Sequence, residues 1–330
     1  MSQYSHIHRS HHLLSPHGKL HIIAICFNPM RFTSRYTLFK EFRKMATDES
    51  QAVVHVAEAR FGNRPSEVPK DGGYDTHIVF NIHDEVWHKE GIINAAVSRL
   101  PNDWEYVAWV DADVAFTNPF WVQETIQQLQ HYPVVQMFHT AWDLDPENNP
   151  LRQFKGFPAS LEENPNEPDI PGNSYYYGVE AAKMGFWHPG YAWACTRKAW
   201  DTFGGLLDVN IVGGGDHQMA NALIGRVKKT IPAHSTPAYR RAVLGWESHA
   251  LLLKKNIGYV PGTLLHYWHG KKVKRGYFDR WKILTQNKYD PITDVRYDWQ
   301  GLLQLAGNKP KLRDDLRAYF RQRQEDSIDM

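Results

Sequence analysis

YVAWVDADVAFTNP, residues 106–119, begins as an apolar run fit for a protein interior and then presents two carboxylates, Asp111 and Asp113, on either side of Ala112. An ionised carboxylate is costly to bury unless it is paired or holds a metal. In extended backbone, residues i and i+2 point to the same side. At the carboxyl end of a sheet strand, both would face the crevice where open α/β sheets bind ligands. Two hard oxygen donors on one side suit Mg²⁺ or Mn²⁺. Aspartate also favours helix caps and turns. The position after a strongly apolar strand and before a Pro-started helix favours the metal reading.

The flanking sequence alternates strand-like and helix-like runs. LHIIAICF (20–27), QAVVHVAEA (51–59), THIVFNI (76–82), EYVAWVD (105–111) and VVQMF (134–138) read as strands. RYTLFKEFRKMA (35–46), EGIINAAVSRL (90–100) and PFWVQETIQQLQHY (119–132) read as helices, the last opened by Pro119. Continuous apolar strands separated by helices predict an α/β protein with a mostly parallel sheet covered on both faces. The stretch 141–178, rich in Pro, Asn and acids, predicts a long loop or lid. PKLRDDLRAYFRQRQ (310–324) predicts an amphipathic helix with Leu312, Leu316 and Phe320 on one face.

The bulk composition is permissive. With 330 residues and 42% hydrophobic content, the chain can build a real core. A net charge of +2 names no partner, and two cysteines, Cys26 and Cys195, exclude a disulfide scaffold. The apolar stretch HIIAICF (21–27) is too short to span a bilayer. These features predict a soluble cytoplasmic protein without membrane insertion, preceded by a His-rich polar tail over 1–18.

Further donors lie downstream. LLHYWHGKKVKRG (264–276) offers His266 and His269 beside a basic run, and an imidazole ligand points to Mn²⁺ more than Mg²⁺. His269, next to Gly270 and the lysines, is preferred, although either histidine could instead be packed against Trp268. In GGGDHQMA (213–220), three glycines allow close backbone approach and Asp216 follows at once. Asp216 could cap the helix after it or serve as a general base toward an acceptor hydroxyl. His217 is a second candidate there. Trp187, Tyr191 and Trp193 surround Pro189-Gly190 and could stack on sugar rings or bases.

Taken as a set, these segments resemble a metal-dependent glycosyltransferase of the GT-A fold. The resemblance rests on IIAICFNPMRFTSRY (22–36), WHKEGIINAAV (87–97), VAWVDADVAF (107–116), HPGYAWACTRKAWDTFGGL (188–206), GGGDHQMA (213–220) and HYWHG (266–270). It extends to family-2-like transferases of tailed phages and bacteria, through GYFDRWKILTQNKYD (276–290) and LAGNKPKLRDDLRAYFRQRQEDSI (305–328).

The resemblance implies a transferase domain over 19–275, with a nucleotide-sugar-binding half (19–140) and an acceptor half (141–275), followed by a helical extension over 276–330. It implies that Asp111 and Asp113, with His269 or His266, hold Mn²⁺ or Mg²⁺ against the diphosphate of a UDP-linked sugar. It places Asn28, Arg31, Glu58, Lys89, Asp111, Ala112, Gly214 and Lys271 as donor contacts, and Tyr191, Trp193 and His217 on the acceptor side. Asp216 becomes the base of an inverting reaction. Relatives often carry paired acids where this chain has Asp216-His217, which leaves the stereochemical outcome open.

Residues 226–288 carry 14 Lys and Arg against 2 acids, a local charge of +12. With the phage resemblance, this points to double-stranded DNA with hydroxymethylated pyrimidines as acceptor, in the host cytoplasm. A saccharide acceptor is the alternative. A metal-dependent nucleotidyltransferase is the rival chemistry, and the absence of a Gly-rich phosphate loop after the first strand argues against it.

Overall fold

In the computed structural model, which describes residues 18–163 and 187–329 except 48, 50, 71 and 278, the centre of the molecule is β1 (Leu20–Phe27). It lies between β2 (Ala52–Phe61) and β4 (Tyr106–Val110), parallel to both. β3 (Thr76–Ile82) extends the sheet beyond β2. On the other side come β10 (Ala192–Thr196), β6 (Val134–Gln136) and β11 (Ile257–Tyr259), giving seven strands in the order β11-β6-β10-β4-β1-β2-β3. β10 runs antiparallel to both neighbours and every other pairing is parallel.

The strand sequences are apolar throughout because both faces are covered. Leu20, Ile22, Ala24 and Cys26 of β1 enter one core with Phe39 and Phe42 of α1 (Thr33–Thr47) and Ile126 of α3 (Trp121–Leu129). Ile23 enters the opposite core with Ile92, Ile93 and Ala96 of α2 (Lys89–Val97). This is the two-residue period of a strand read on two sides. Each such aliphatic side chain, fully buried, contributes about 1.5–3 kcal/mol. The second core is completed by α5 (Arg197–Phe203), α6 (Gly215–Leu223) and α7 (Pro237–Ala250).

A second sheet of five strands sits at the carboxyl edge of the first. Its order is β5 (Val114–Phe116), β12 (Thr263–His266), β7 (Thr140–Leu144), β8 (Pro150–Gly156), β9 (Trp187–His188). Its register sets the site: His266 pairs with Val114 on one side and Asp143 on the other. A hairpin of β13 (Val295–Tyr297) and β14 (Leu303–Leu305), with α8 (Arg280–Gln286) and α9 (Pro310–Gln322), closes the chain. Leu312, Leu316 and Phe320 are buried, as the helical spacing predicts.

Two expectations need correction. The stretch from 141 is not one long loop: up to residue 163 it forms β7, β8 and α4 (Phe157–Glu163). Its Asp and Asn residues build the hairpin tip, where the Asp145 carboxylate accepts from the backbone N–H of Glu147 and Asn149 and Asn148 takes φ 67°. The rest of the expected lid, 164–178, lies outside the described residues, as does the expected tail except Gly18. Pro119 does not open α3, which begins at Trp121 after Asn118 accepts from the Phe120 N–H. Among the described residues, no helix is long and apolar enough to cross a membrane.

Candidate functional site

From β1 the chain moves to β2 and β3 on one side, then crosses to β4 on the other. A crevice opens at the carboxyl ends of β1 and β4, where this reversal leaves the strand ends uncovered. A large cleft occupies it. Asn28 ends β1 here, holding a tight turn by accepting from the Phe32 N–H at 3.0 Å and donating to the Phe32 carbonyl at 2.8 Å. Asp111, Ala112 and Asp113 follow β4 into the same cleft. Lys89 and Glu90 reach it from the start of α2, Gly214 and Asp216 from the start of α6, and Tyr191 from the turn before β10.

The deepest part of the cleft gathers Asp113, His266 and His269, exposed by only 4%, 4% and 2%. Their candidate ligand atoms all lie within 4.8 Å of one another. The surrounding groups orient each imidazole. His266 Nδ1 is 2.8 Å from Asp143 Oδ1, so it donates there and leaves Nε2 turned toward His269. Lys272 and His266 hold the Asp143 carboxyl well below its ordinary range against the opposing effect of burial, so Asp143 can only accept. The His269 imidazole is pushed down to about 4, first by burial and then by Arg275 and Arg35, and is neutral. Its Nδ1 faces Glu325 at 3.5 Å without a hydrogen bond, and its Nε2 faces Asp113 Oδ2 at 3.1 Å.

The two Nε2 atoms are 3.2 Å apart. Asp113 Oδ1 lies 3.8 Å from His266 Nε2 and, though buried, has no hydrogen-bond partner among the described residues. Asp113 Oδ2 is 3.1 Å from His269 Nε2 and accepts from Arg35 Nη1 at 2.6 Å. Ligand atoms at right angles around an ion held at about 2.1 Å are about 3 Å apart. An orphaned carboxylate oxygen and two imidazole nitrogens at this spacing fit a divalent cation.

Asp111 stands outside this triad. Its carboxylate pairs with the Lys89 ammonium, and its N–H donates to the Tyr191 carbonyl at 2.8 Å. Burial opposes the Lys89 charge, but Asp111, Asp216 and Glu90 together outweigh it and hold the ammonium protonated. Glu90 is 3% exposed, and burial pushes its carboxyl up to about 8 against the pull of Lys89. Asp216 enters in the first turn of α6, where Gly214 adopts φ 89°. Its Oδ1 accepts from the His217 N–H at 2.8 Å, and a Cβ on Gly190 would stand 2.6 Å from its Oδ2. Gly190 therefore makes the room that Asp216 occupies.

Tyr191 holds a left-handed φ of 72°, a strained conformation for a bulky residue. Its ring stacks between His188 at 3.7 Å and His266 at 4.6 Å, and its hydroxyl donates to Asp143 Oδ1 at 2.8 Å. The strain is offset by what it positions, the ring of a candidate ligand and the carboxylate behind it.

Five expected site residues do not line this cleft. Arg31 is exposed and pairs with Glu67. Glu58 is buried in β2, where it accepts from the Ser66 hydroxyl, the Glu67 N–H and His77, beside a small neighbouring pocket shared with Asn28. Trp193 belongs to the core, its indole donating to the Pro189 carbonyl. His217 stacks on Trp187. Lys271 precedes the short turn 272–275.

Sequence reasoning missed Arg35, Glu90, Asp143, Arg275, Arg323 and Glu325. Glu90 was detectable, since an acid beside Lys89 opens an otherwise apolar helix. Glu325 lies 56 residues beyond His269 in a polar stretch with no local signal.

No known family's profile matches the chain, and no curated protein matches it. Among solved structures it is similar in chain path to a mutant of Drosophila beta1,4-galactosyltransferase 7 in complex with manganese, UDP-Gal and xylobiose. That match has a TM-score of 0.29 and 12% identity over 61% of this chain and 59% of the other. The catalytic domain of the same Drosophila enzyme with xylobiose gives 0.34 and 10% identity, over 89% and 98%. A Desulfovibrio desulfuricans protein described as a nucleotide-diphospho-sugar transferase gives 0.33 and 9%, over 92% and 98%. At these scores the likeness stops at the general course of the chain, and function has to be argued from the site itself.

Proposed function

We propose that this chain is a GT-A-type glycosyltransferase that moves a hexosyl or pentosyl group from a nucleotide sugar, UDP-linked, to an acceptor hydroxyl with inversion. The observation that carries the reading is the convergence of ligand atoms of Asp113, His266 and His269 in the cleft at the carboxyl edge of β1 and β4, which Asp216 also lines. Asp113, His266 and His269 would hold the cation, and two nitrogen donors favour Mn²⁺ over Mg²⁺. Such an ion neutralises the charge that grows on a departing diphosphate.

The chain's own residues supply the rest. Lys89 and Arg275 are cations placed to hold an anion. The buried Arg275 makes its hydrogen bonds, among the described residues, to the Tyr277 hydroxyl and the Gly270 carbonyl, with no carboxylate among them. An unbalanced buried guanidinium is stabilised by an incoming phosphate. Asp216 takes the proton from the acceptor hydroxyl as that oxygen bonds to the anomeric carbon and the sugar–phosphate bond breaks on the opposite face. Asn28, Ala112 and Gly214 border the same space.

The test is a screen of nucleotide sugars with Mn²⁺, reading released nucleoside diphosphate. Its release supports glycosyl transfer. Release of pyrophosphate instead supports a nucleotidyltransferase, and neither product from any donor contradicts both.

For the acceptor, we propose double-stranded DNA with hydroxymethylated pyrimidines, with a saccharide as the alternative. The exposed Lys228, Lys229, Arg241, Lys254, Lys255 and Lys274 support a polyanionic partner. Lys272 and Arg275 do not contribute to that surface, because both turn inward, Lys272 onto Asp143. Adding hydroxymethylated DNA to the donor screen should raise diphosphate release steeply at low salt. A response only to saccharides would transfer the proposal to the alternative.

A further inference from the structure

Behind the candidate cation site lies a second layer of charge that comes from far along the chain. Glu325 is 4% exposed and its carboxylate meets three groups: Arg35 Nε, Arg323 Nε and, at 3.5 Å, His269 Nδ1. His269 Nδ1 is buried and makes no hydrogen bond among the described residues, with Glu325 facing it at 3.5 Å. Arg35 also donates to Asp113 Oδ2. One carboxylate therefore touches both the ring of one candidate ligand and the guanidinium that holds another.

Glu325 is delivered there by backbone contacts on both sides. The Asp326 carboxylate accepts from the Thr33 and Ser34 N–H groups at the start of α1, at 2.9 and 2.8 Å. The Ser34 hydroxyl donates to the Glu325 carbonyl at 3.0 Å, and the Trp268 indole to the Ser327 carbonyl at 2.8 Å. Gly270, at φ 86°, admits the strand of chain: a Cβ there would lie 2.7 Å from the Gln324 carbonyl oxygen. Residues 324–327 are thus wedged between α1 and the 268–270 turn.

We propose that Glu325 is a positioning residue for the cation site, and that residues 323–327 are part of that site. The inference rests on the reading of Asp113, His266 and His269 as ligands. A metal-bound imidazole gives its other N–H to a carboxylate or carbonyl, which fixes the ring and strengthens the donor nitrogen. Asp143 does this for His266, and Glu325 stands in the matching place for His269. Its charge matters as well. Without Glu325, Arg35 and Arg323 would face a dication with Asp113 alone between them, and like charge at that range repels.

The test is Mn²⁺ binding by the full chain, by calorimetry and by the loss of free-ion EPR signal, for wild type, Glu325→Gln and Glu325→Asp. Thermal unfolding in EDTA is measured beside it. Glu325→Gln should weaken Mn²⁺ binding by about 10–100-fold, beyond any change in metal-free melting. Glu325→Asp, which keeps the charge but draws it back from His269, should fall between. Equal Mn²⁺ affinity in all three proteins overturns the inference and leaves the ligand reading intact. If Glu325→Gln does not fold, Glu325→Asp decides alone, and wild-type affinity in it overturns the inference. Wild type that binds no Mn²⁺ overturns the ligand reading itself.

Discussion

His266 and Asp143 sit opposite one another in the β7–β12 ladder, and the imidazole Nδ1 meets the carboxylate at 2.8 Å. Strand register, set by apolar residues far from the cleft, thereby fixes which nitrogen of His266 carries the proton. Asp143→Asn keeps the shape but removes the strong acceptor. Mn²⁺ affinity should fall about 10–100-fold. Stability should fall as well, because Lys272 loses its buried partner. Adding Lys272→Met should recover melting temperature without recovering Mn²⁺ binding. Recovery of both would show that Asp143 serves stability alone.

Glu90 gives the fold a pH dependence of defined sign. Its carboxyl titrates at about 8 in the fold and near 4.5 when unfolded. Between those values the folded state keeps a proton that the unfolded chain has lost. This group's contribution to stability is therefore whole below pH 4.5, declines as pH rises and levels off above about 8. The slope is at most about 1.4 kcal/mol per pH unit. Glu90→Gln should gain stability over wild type as pH goes from 5 to 8, in EDTA, by denaturant unfolding. A constant difference across that range contradicts the assignment.

Gly190→Ala places a methyl where Asp216 Oδ2 now stands, and the carboxylate must turn aside. A flexible side-chain end yields cheaply, so melting should change little. A base displaced by about 1 Å can cost about 100-fold in rate. The variant should lose kcat while keeping donor affinity. Unchanged kcat would place Asp216 outside the chemistry.

Asp216→Asn tests the same carboxylate without moving it. Transfer should fall by about 10²–10⁴-fold, with Mn²⁺ and donor binding preserved in calorimetry. A loss of donor binding would instead make Asp216 a donor contact.

The sheet and much of the site could be read from the sequence because their signals are local. The apolar runs at 20–27 and 106–110 declare strands buried on two faces, and the observed strands keep nearly those bounds. Both aspartates line the cleft from the turn that follows β4, together with Lys89, Asp216 and Tyr191. Pairing across the sequence was not local. Nothing near Asp111 announces that Lys89 will meet it, or that His266 and His269 will close on Asp113. Asp143 looked like loop composition because its strand partner is 123 residues away. The aromatic run at 188–193 misled in the usual direction: Trp193 faces the core because β10 is a central strand, covered on both sides.

The central claim is that Asp113, His266 and His269 hold a divalent cation. Crystals soaked in Mn²⁺ and measured at the manganese absorption edge test it most directly. One anomalous peak is expected about 2.1 Å from a carboxylate oxygen of Asp113 and from both Nε2 atoms, with Asp111 still on Lys89. A peak held by Asp111 with neither histidine, or no peak in the cleft, would contradict it.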